Sequence, residues 1–193
     1  MDGWINVDVD AGMWPATHCV AEAARLPFKD GTVDRVFYCH VLEHMDYDTT
    51  AYYSLLEARR VLRIGGEFGL VGPAMDYAER MLEEHGRTRD GDWLLDAIVK
   101  HGEPPHGHAW TPYSDNTLAL VQRVFDGAEI VPVEEMMRWN GWPNDVPSQW
   151  QVAIRSGTEP LSQDEKEIGR EAARVHTGAG LDKWLEDACR LAT

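Results

Sequence analysis

The sequence predicts an α/β domain built on a parallel sheet, and three observations predict it. Short runs of β-branched and aromatic residues recur along the chain, the clearest being DRVFYCHV at 34–41, bounded by the turn sequence DGT. A stripe of Ala51, Leu55, Ala58 and Leu62 repeats at spacings of four, three and four, which is one face of a helix. Strands and helices alternate, the pattern of a parallel sheet covered on both faces rather than of a hairpin protein.

Taken in order, WINVDV at 4–9 and THCVAE at 17–22 read as short strands, and LPFKDG then interrupts with a proline and a turn. After the 34–41 strand a helix is expected from Asp48 to Leu62, with Asp48, Thr49 or Thr50 as its cap. Gly65 and Gly66 are expected to stop it, and EFGLVGP at 67–73 to form the next strand. Residues 74–101 read as mostly helical, and HGEPPHGHAWTPYS at 101–114 as an irregular loop. A helix over 115–125 should present Leu118, Val121 and Phe125 on one face. AEIVPVE at 128–134 and QWQVAIR at 149–155 read as the last strands, with MRWNGWPNDVPS at 137–148 as the loop between them. A capping-box pattern, SQDE at 162–165, opens a helical extension over 158–193, expected to pack on an α/β domain of residues 1–157.

Composition narrows the function classes. The net charge is -15, and the Arg and Lys residues are scattered, which disfavours a grip on nucleic acid. A cationic or neutral small molecule, or a protein partner, suits that charge better. No apolar run is long enough to span a bilayer, and the acidic first residues do not read as a signal peptide. The 3 cysteines, Cys19, Cys39 and Cys189, form no CxxC pair, which points to a reducing, cytoplasmic setting.

The stretch from Val20 to Pro73 carries two motifs, and a third precedes it. EAARLPFKDGTVDRVFYCHVLEH presents an acid, LPF, a turn, an aspartate, a strand and LEH. EARRVLRIGGEFGLVGP presents a helix, a glycine turn and a strand, and GWINVDVD is a strand ending in acids. Together they resemble the class I S-adenosylmethionine (SAM)-dependent methyltransferases of the type 11 kind, over most of residues 3–157. The resemblance implies a Rossmann-like sheet, mostly parallel with an antiparallel last strand. It also implies that Asp8, with Asp10 in reserve, holds the ribose hydroxyls. Glu22, with Ala23 beside it, would lie near the adenine amino group, and Leu26 and Phe28 would help wall the ring. Cys39 and His40 would pass near the methionine part of the cofactor and the reacting methyl, with His40 the catalytic candidate. His44, His106, His108 and Trp110 would fall on the substrate side. Only Met1 and Asp2 precede GWINV, so the sheet is expected to be reduced at its start, without the family's first strand and glycine-rich cofactor loop.

Other readings of the same residues stand beside these. Asp8 and Asp10 also suit ordinary turn carboxylates, Glu22 a solvated loop acid, His40 a side chain that satisfies a local hydrogen bond, and Leu26 and Phe28 plain core. HVLEH at 40–44 spells HxxEH, a zinc-peptidase pattern when it lies on a helix, with His40 and His44 as ligands and Glu43 as base. It follows a strand here and LEH already belongs to the resemblance, so no metal is expected. Trp139, Trp142 and Trp150, among the 8 tryptophans, suit core or interface. The expected function is methyl transfer to a small molecule or a side chain, with a homodimer as the assembly. The alternative is a non-catalytic, methyltransferase-like binding or regulatory protein, a pseudoenzyme without its cofactor loop.

Overall fold

The computed structural model describes residues 4–9, 18–85, 107–140 and 151–156. In chain order they form β1 (Val7–Asp8), β2 (Cys19–Val20), β3 (Val33–Cys39), a 3-10 turn (Leu42–His44) and α1 (Thr50–Val61). Then come β4 (Leu62–Pro73), α2 (Met75–His85), α3 (Ser114–Gln122), β5 (Ala128–Val131), α4 (Val133–Asn140) and β6 (Gln151–Ser156). The described strands lie in two sheets, a pair β1-β2 and a four-stranded sheet ordered β3-β4-β6-β5. The chain divides into two compact units, one containing residues 1–34 and 53–66, the other 35–52 and 67–157.

In the first unit β1 and β2 are parallel, with Val7 opposite Cys19 and Asp8 opposite Val20. The pairing is shorter than the sequence runs suggest. The amides of His18 and Cys19 both donate to the Asn6 carbonyl, and the Ala21 amide donates to that of Asp8 at 2.9 Å. Beyond β2 the segment is pinned by α1. Glu57, only 3% exposed, accepts from the Leu26 amide at 2.9 Å and from Arg60 at 2.7 and 2.6 Å. Arg60 also reaches Asp30 at 2.7 Å and the Leu26 carbonyl at 3.2 Å. Burial works against the Arg60 charge, and its bonds to Glu57 and Asp30 more than offset that, so it stays cationic.

The glycine pair corrects the expected helix stop. α1 already ends at Val61, the chain passes directly into β4, and Gly65 and Gly66 lie inside that strand. Gly65 takes a left-handed φ of 74°, which side-chain-bearing residues rarely adopt. A Cβ on Gly66 would sit 3.0 Å from the Arg63 carbonyl oxygen and 3.1 Å from that of Asp34. These glycines therefore bend the start of a strand. Gly66→Ala is expected to destabilise the protein by about 1–3 kcal/mol, because two backbone carbonyls must give way. A drop in the urea midpoint at unchanged m-value reads this directly.

In the second unit β6 runs antiparallel to β4, from Phe68 opposite Ser156 to Pro73 opposite Gln151. It also runs antiparallel to β5, from Ala128 opposite Ser156 to Val131 opposite Ala153. The last strand is thus antiparallel, as expected, while β3 and β4 are joined by the helical crossover α1 that parallel neighbours require. Side chains alternate across this sheet. Val71, Ala153, Val133 and Met136 form a buried cluster with Phe37 packed against it. Tyr38, next in sequence, meets Phe68 edge-on at 5.3 Å, and Phe68 stacks on Phe125 at 4.5 Å.

Two helices depart from their sequence readings. In α3 the buried positions are Ser114, Thr117, Leu120 and Val121, so Leu118 falls beside the apolar face rather than on it. The start of α3 is fixed by Asn116, whose side chain accepts from the Tyr113 amide at 2.8 Å, and by Asp76, which accepts from the Ser114 amide at 2.8 Å. Residues 137–140, expected in a loop, continue α4. Fully buried Met136 anchors its inner face, and Glu134, Glu135 and Arg138 sit at the ends that suit the helix dipole. The expected extension over 158–193, the tryptophans Trp142 and Trp150, and the side chain of Trp139 lie outside the described residues. Among the described residues, no helix is long and apolar enough to cross a membrane.

Candidate active site

The sheet delivers its most unusual backbone at the carboxyl end of β3. Cys39 closes the strand, and His40 then takes a φ of 55°, the left-handed conformation that only glycine adopts cheaply. The His40 amide donates to the Val71 carbonyl of β4 at 2.9 Å, so the turn is tied to the sheet. Strain of this kind persists where the surroundings over-determine it, and such places are often functional. The bend aims the chain into the 3-10 turn, which carries Leu42, Glu43 and His44.

Glu43 sits at the centre of this turn's polar contacts. Its side chain is only 3% exposed, and Oε1 lies 3.1 Å from His40 Nδ1 and 4.0 Å from His44 Nε2. The His40 approach has ion-pair distance but not hydrogen-bond alignment, so Oε1 remains a buried oxygen without a hydrogen-bond donor. His44 Nδ1 is likewise buried without a partner. The segment before α3 packs on this turn. Ala109 N donates to the Glu43 carbonyl at 2.7 Å, and Trp110 Nε1 donates to that of Leu42 at 3.0 Å. Trp110 also meets the Tyr47 ring edge-on at 4.8 Å, and the Tyr47 hydroxyl donates to the Asn116 carbonyl at 2.9 Å. These anchors place the His108 ring 5.0 Å from that of His44.

Five sequence candidates, Cys39, His40, His44, His108 and Trp110, therefore share one neighbourhood of the second unit. Burial, and next the charge of Glu43, push the Cys39 thiol up to about 11. Cys39 is accordingly a neutral thiol near pH 7 rather than a thiolate nucleophile. Glu43 itself was not among the sequence candidates except as a base in HxxEH. The signal for its burial lay in that same HVLEH stretch, but nothing in the sequence says which of its polar residues turns inward. Tyr47 and Asn116, which brace Trp110, carried no signal.

The first unit places the other candidates. Asp8 ends β1 half-buried, and Glu22 stands exposed two residues beyond β2. Both acids thus follow neighbouring parallel strands at their carboxyl ends, where open α/β sheets bind ligands. Ala23 is half-buried, while Leu26 is only 7% exposed and belongs to the core with Ala21 and Ala24. Asp10 and His106 lie outside the described residues.

Residues 6–70 match the profile of a family described as a methyltransferase domain. The match runs from the entry to β1 into β4 and takes in Asp8, Glu22, Cys39, His40 and Glu43. The similarity to that family covers residues 6–70, about a third of the chain. No curated protein sequence matches the chain. Among solved structures it is similar to a SAM-dependent methyltransferase of Methanosarcina mazei, at 13% identity and a TM-score of 0.49, over 80% of this chain and 81% of that one. It is similar to YcgJ of Bacillus subtilis, at 15% identity and a TM-score of 0.47, over 81% and 82% of the two chains. A SAM-dependent methyltransferase of Thermotoga maritima is 15% identical with a TM-score of 0.44, over 72% of this chain and 63% of its own. Against a Nostoc punctiforme O-methyltransferase-type structure the chain spans 35% of that protein's length.

Proposed function

We propose that this chain transfers a methyl group from SAM to a small molecule or a side chain, with His40 as general base. The observation that carries this reading is His40 itself, held in a left-handed turn at the carboxyl end of β3 with Nδ1 3.1 Å from Glu43 Oε1. In the Nδ1–H tautomer, with the Glu43 carboxylate 3.1 Å away, the lone pair of Nε2 would be left for the acceptor's proton. Glu43 is then a positioning residue, and its negative charge stabilises the imidazolium that forms. His40 is a third exposed, so an acceptor can reach it. The net charge of -15 suits a cationic or neutral acceptor.

The first unit offers groups that fit the cofactor. The carboxylates of Asp8 and Glu22 are pure acceptors, matching the ribose hydroxyls and the adenine amino group. Their backbone is set by the parallel β1-β2 pair and by the Ala21–Asp8 hydrogen bond at 2.9 Å. When bound, SAM supplies an electrophilic methyl on a sulfonium. The protein's share of that chemistry is positioning, proton removal and exclusion of water.

Calorimetric titration of the full chain with S-adenosylhomocysteine tests the reading. Binding at micromolar strength is expected, weakened about 10-fold or more by Asp8→Ala and by Glu22→Ala, since each removes a hydrogen bond to a charged acceptor. No heat up to millimolar ligand would overturn the enzymatic reading and favour a non-catalytic, methyltransferase-like binding protein.

A further inference from the structure

We propose that Glu43, His44 and His108 form a binding site for a zinc-type divalent cation. One ligand atom from each of the three lies within 4.8 Å of the other two. Proximity of a few polar side chains is common, and two further observations set this group apart. First, Glu43 Oε1 is buried without an aligned hydrogen-bond donor. Burying a carboxylate at 3% exposure with only a poorly aligned imidazole 3.1 Å from that oxygen is costly, and a cation is the most effective remedy. Second, the third residue is held in place by the backbone. The two residues after His108 donate to the carbonyls of Glu43 and Leu42, so the loop and the 3-10 turn are laced together before any ion arrives.

The donor set selects the ion. Two imidazoles and one carboxylate suit zinc and its borderline neighbours, whereas magnesium and calcium prefer oxygen throughout. A tetrahedral zinc holds its ligand atoms roughly 3.3 Å apart, given metal–ligand bonds of about 2.0–2.1 Å. Glu43 Oε1 and His44 Nε2 stand 4.0 Å apart, so side-chain rotation closes the difference. Three protein ligands leave a fourth tetrahedral position for water. The arrangement is not the helical HxxEH one. Glu43 is a ligand rather than a base, the turn is a 3-10 turn, and His108 comes from a distant loop. His40 approaches the same oxygen from within the turn and acts as a competitor for it, not as a ligand.

The experiment is a titration of the metal-free full chain with Co2+, read by its visible ligand-field bands, followed by displacement with Zn2+. Tetrahedral bands with a one-to-one end point are expected, and zinc should abolish them. His108→Ala, at a half-buried position, should weaken binding about 100-fold or more, beyond the roughly 10–100-fold cost of losing an outer-shell partner, with an unchanged circular-dichroism spectrum as the folding control. His44→Ala should do the same, whereas His40→Ala should leave affinity unchanged or raise it. Octahedral bands, an affinity no better than millimolar, or equal affinity for wild type and His108→Ala would each overturn the assignment. So would an effect of His40→Ala as large as that of His108→Ala. None of these readouts depends on methyl transfer.

Discussion

Glu57→Ala is expected to cost about 3–5 kcal/mol of folding stability, the range for removing one partner of a buried ion pair. Glu57 is only 3% exposed and performs two tasks with one carboxylate. It neutralises Arg60, whose side chain is 11% exposed, and it accepts the amide of buried Leu26 at 2.9 Å. Without it the Leu26 N–H loses its acceptor, and Arg60 keeps only Asp30, which is 42% exposed and better screened, as its ionic partner. Urea unfolding should show the loss as a lowered midpoint with an unchanged m-value. A loss below about 1 kcal/mol would mean that solvent reaches the pair and that the segment is held by apolar contacts instead. A functional corollary comes from position. Leu26 and Asp30 flank the turn just after Glu22, so loosening this anchor should also weaken S-adenosylhomocysteine. Arg60→Met adds a useful comparison, because it removes the partner cation and leaves Glu57 bound to Leu26.

Much of this fold was legible because apolar periodicity is read directly by burial. Ala51, Leu55 and Ala58 are each 0% exposed, as their spacing requires. The strand ending at Cys39 was equally plain from its β-branched and aromatic run. Legibility failed where a residue serves a contact that is remote in sequence. Gly65 and Gly66 looked like a helix stop, because the nearness of the Asp34 carbonyl to Gly66 is a tertiary fact. MRWN looked like loop, because a tryptophan-rich stretch beside Pro and Gly hides the buried anchors, Val133 and Met136, that hold the start of α4. The candidate site shows the same division. His40, Asp8 and Glu22 were candidates because the family resemblance implied roles at those positions. The inward turn of Glu43 and its meeting with a loop more than sixty residues later were not legible, since a 3-10 turn of three residues has no periodicity to read. The sharpest chemistry therefore lies where the sequence pattern ends.

Replacing His40 separates its backbone role from its chemical one. His40→Gly relieves the left-handed strain at φ 55° and should stabilise the fold by about 1 kcal/mol, less the entropy that glycine loses on folding. His40→Asn, the side chain that best tolerates this conformation after glycine, should be close to neutral. Both remove the imidazole, so both should lower kcat by about 100- to 10,000-fold on any acceptor that the wild-type chain methylates, the usual worth of a positioned general base. S-adenosylhomocysteine affinity and acceptor KM should change far less than kcat, because a base acts on the transition state rather than on binding. Glu43→Gln keeps the shape of the side chain but not its charge. It should lower kcat less than loss of His40 does, and the two losses should be strongly non-additive in the double variant, as expected of a base and the group that orients it. A stabilised His40→Gly protein with undiminished kcat would show that the strain at the end of β3 serves packing alone, and the base would then have to be sought elsewhere. A stabilised and inactive one would mean that the chain gives up folding free energy at this turn to hold an imidazole where a proton leaves.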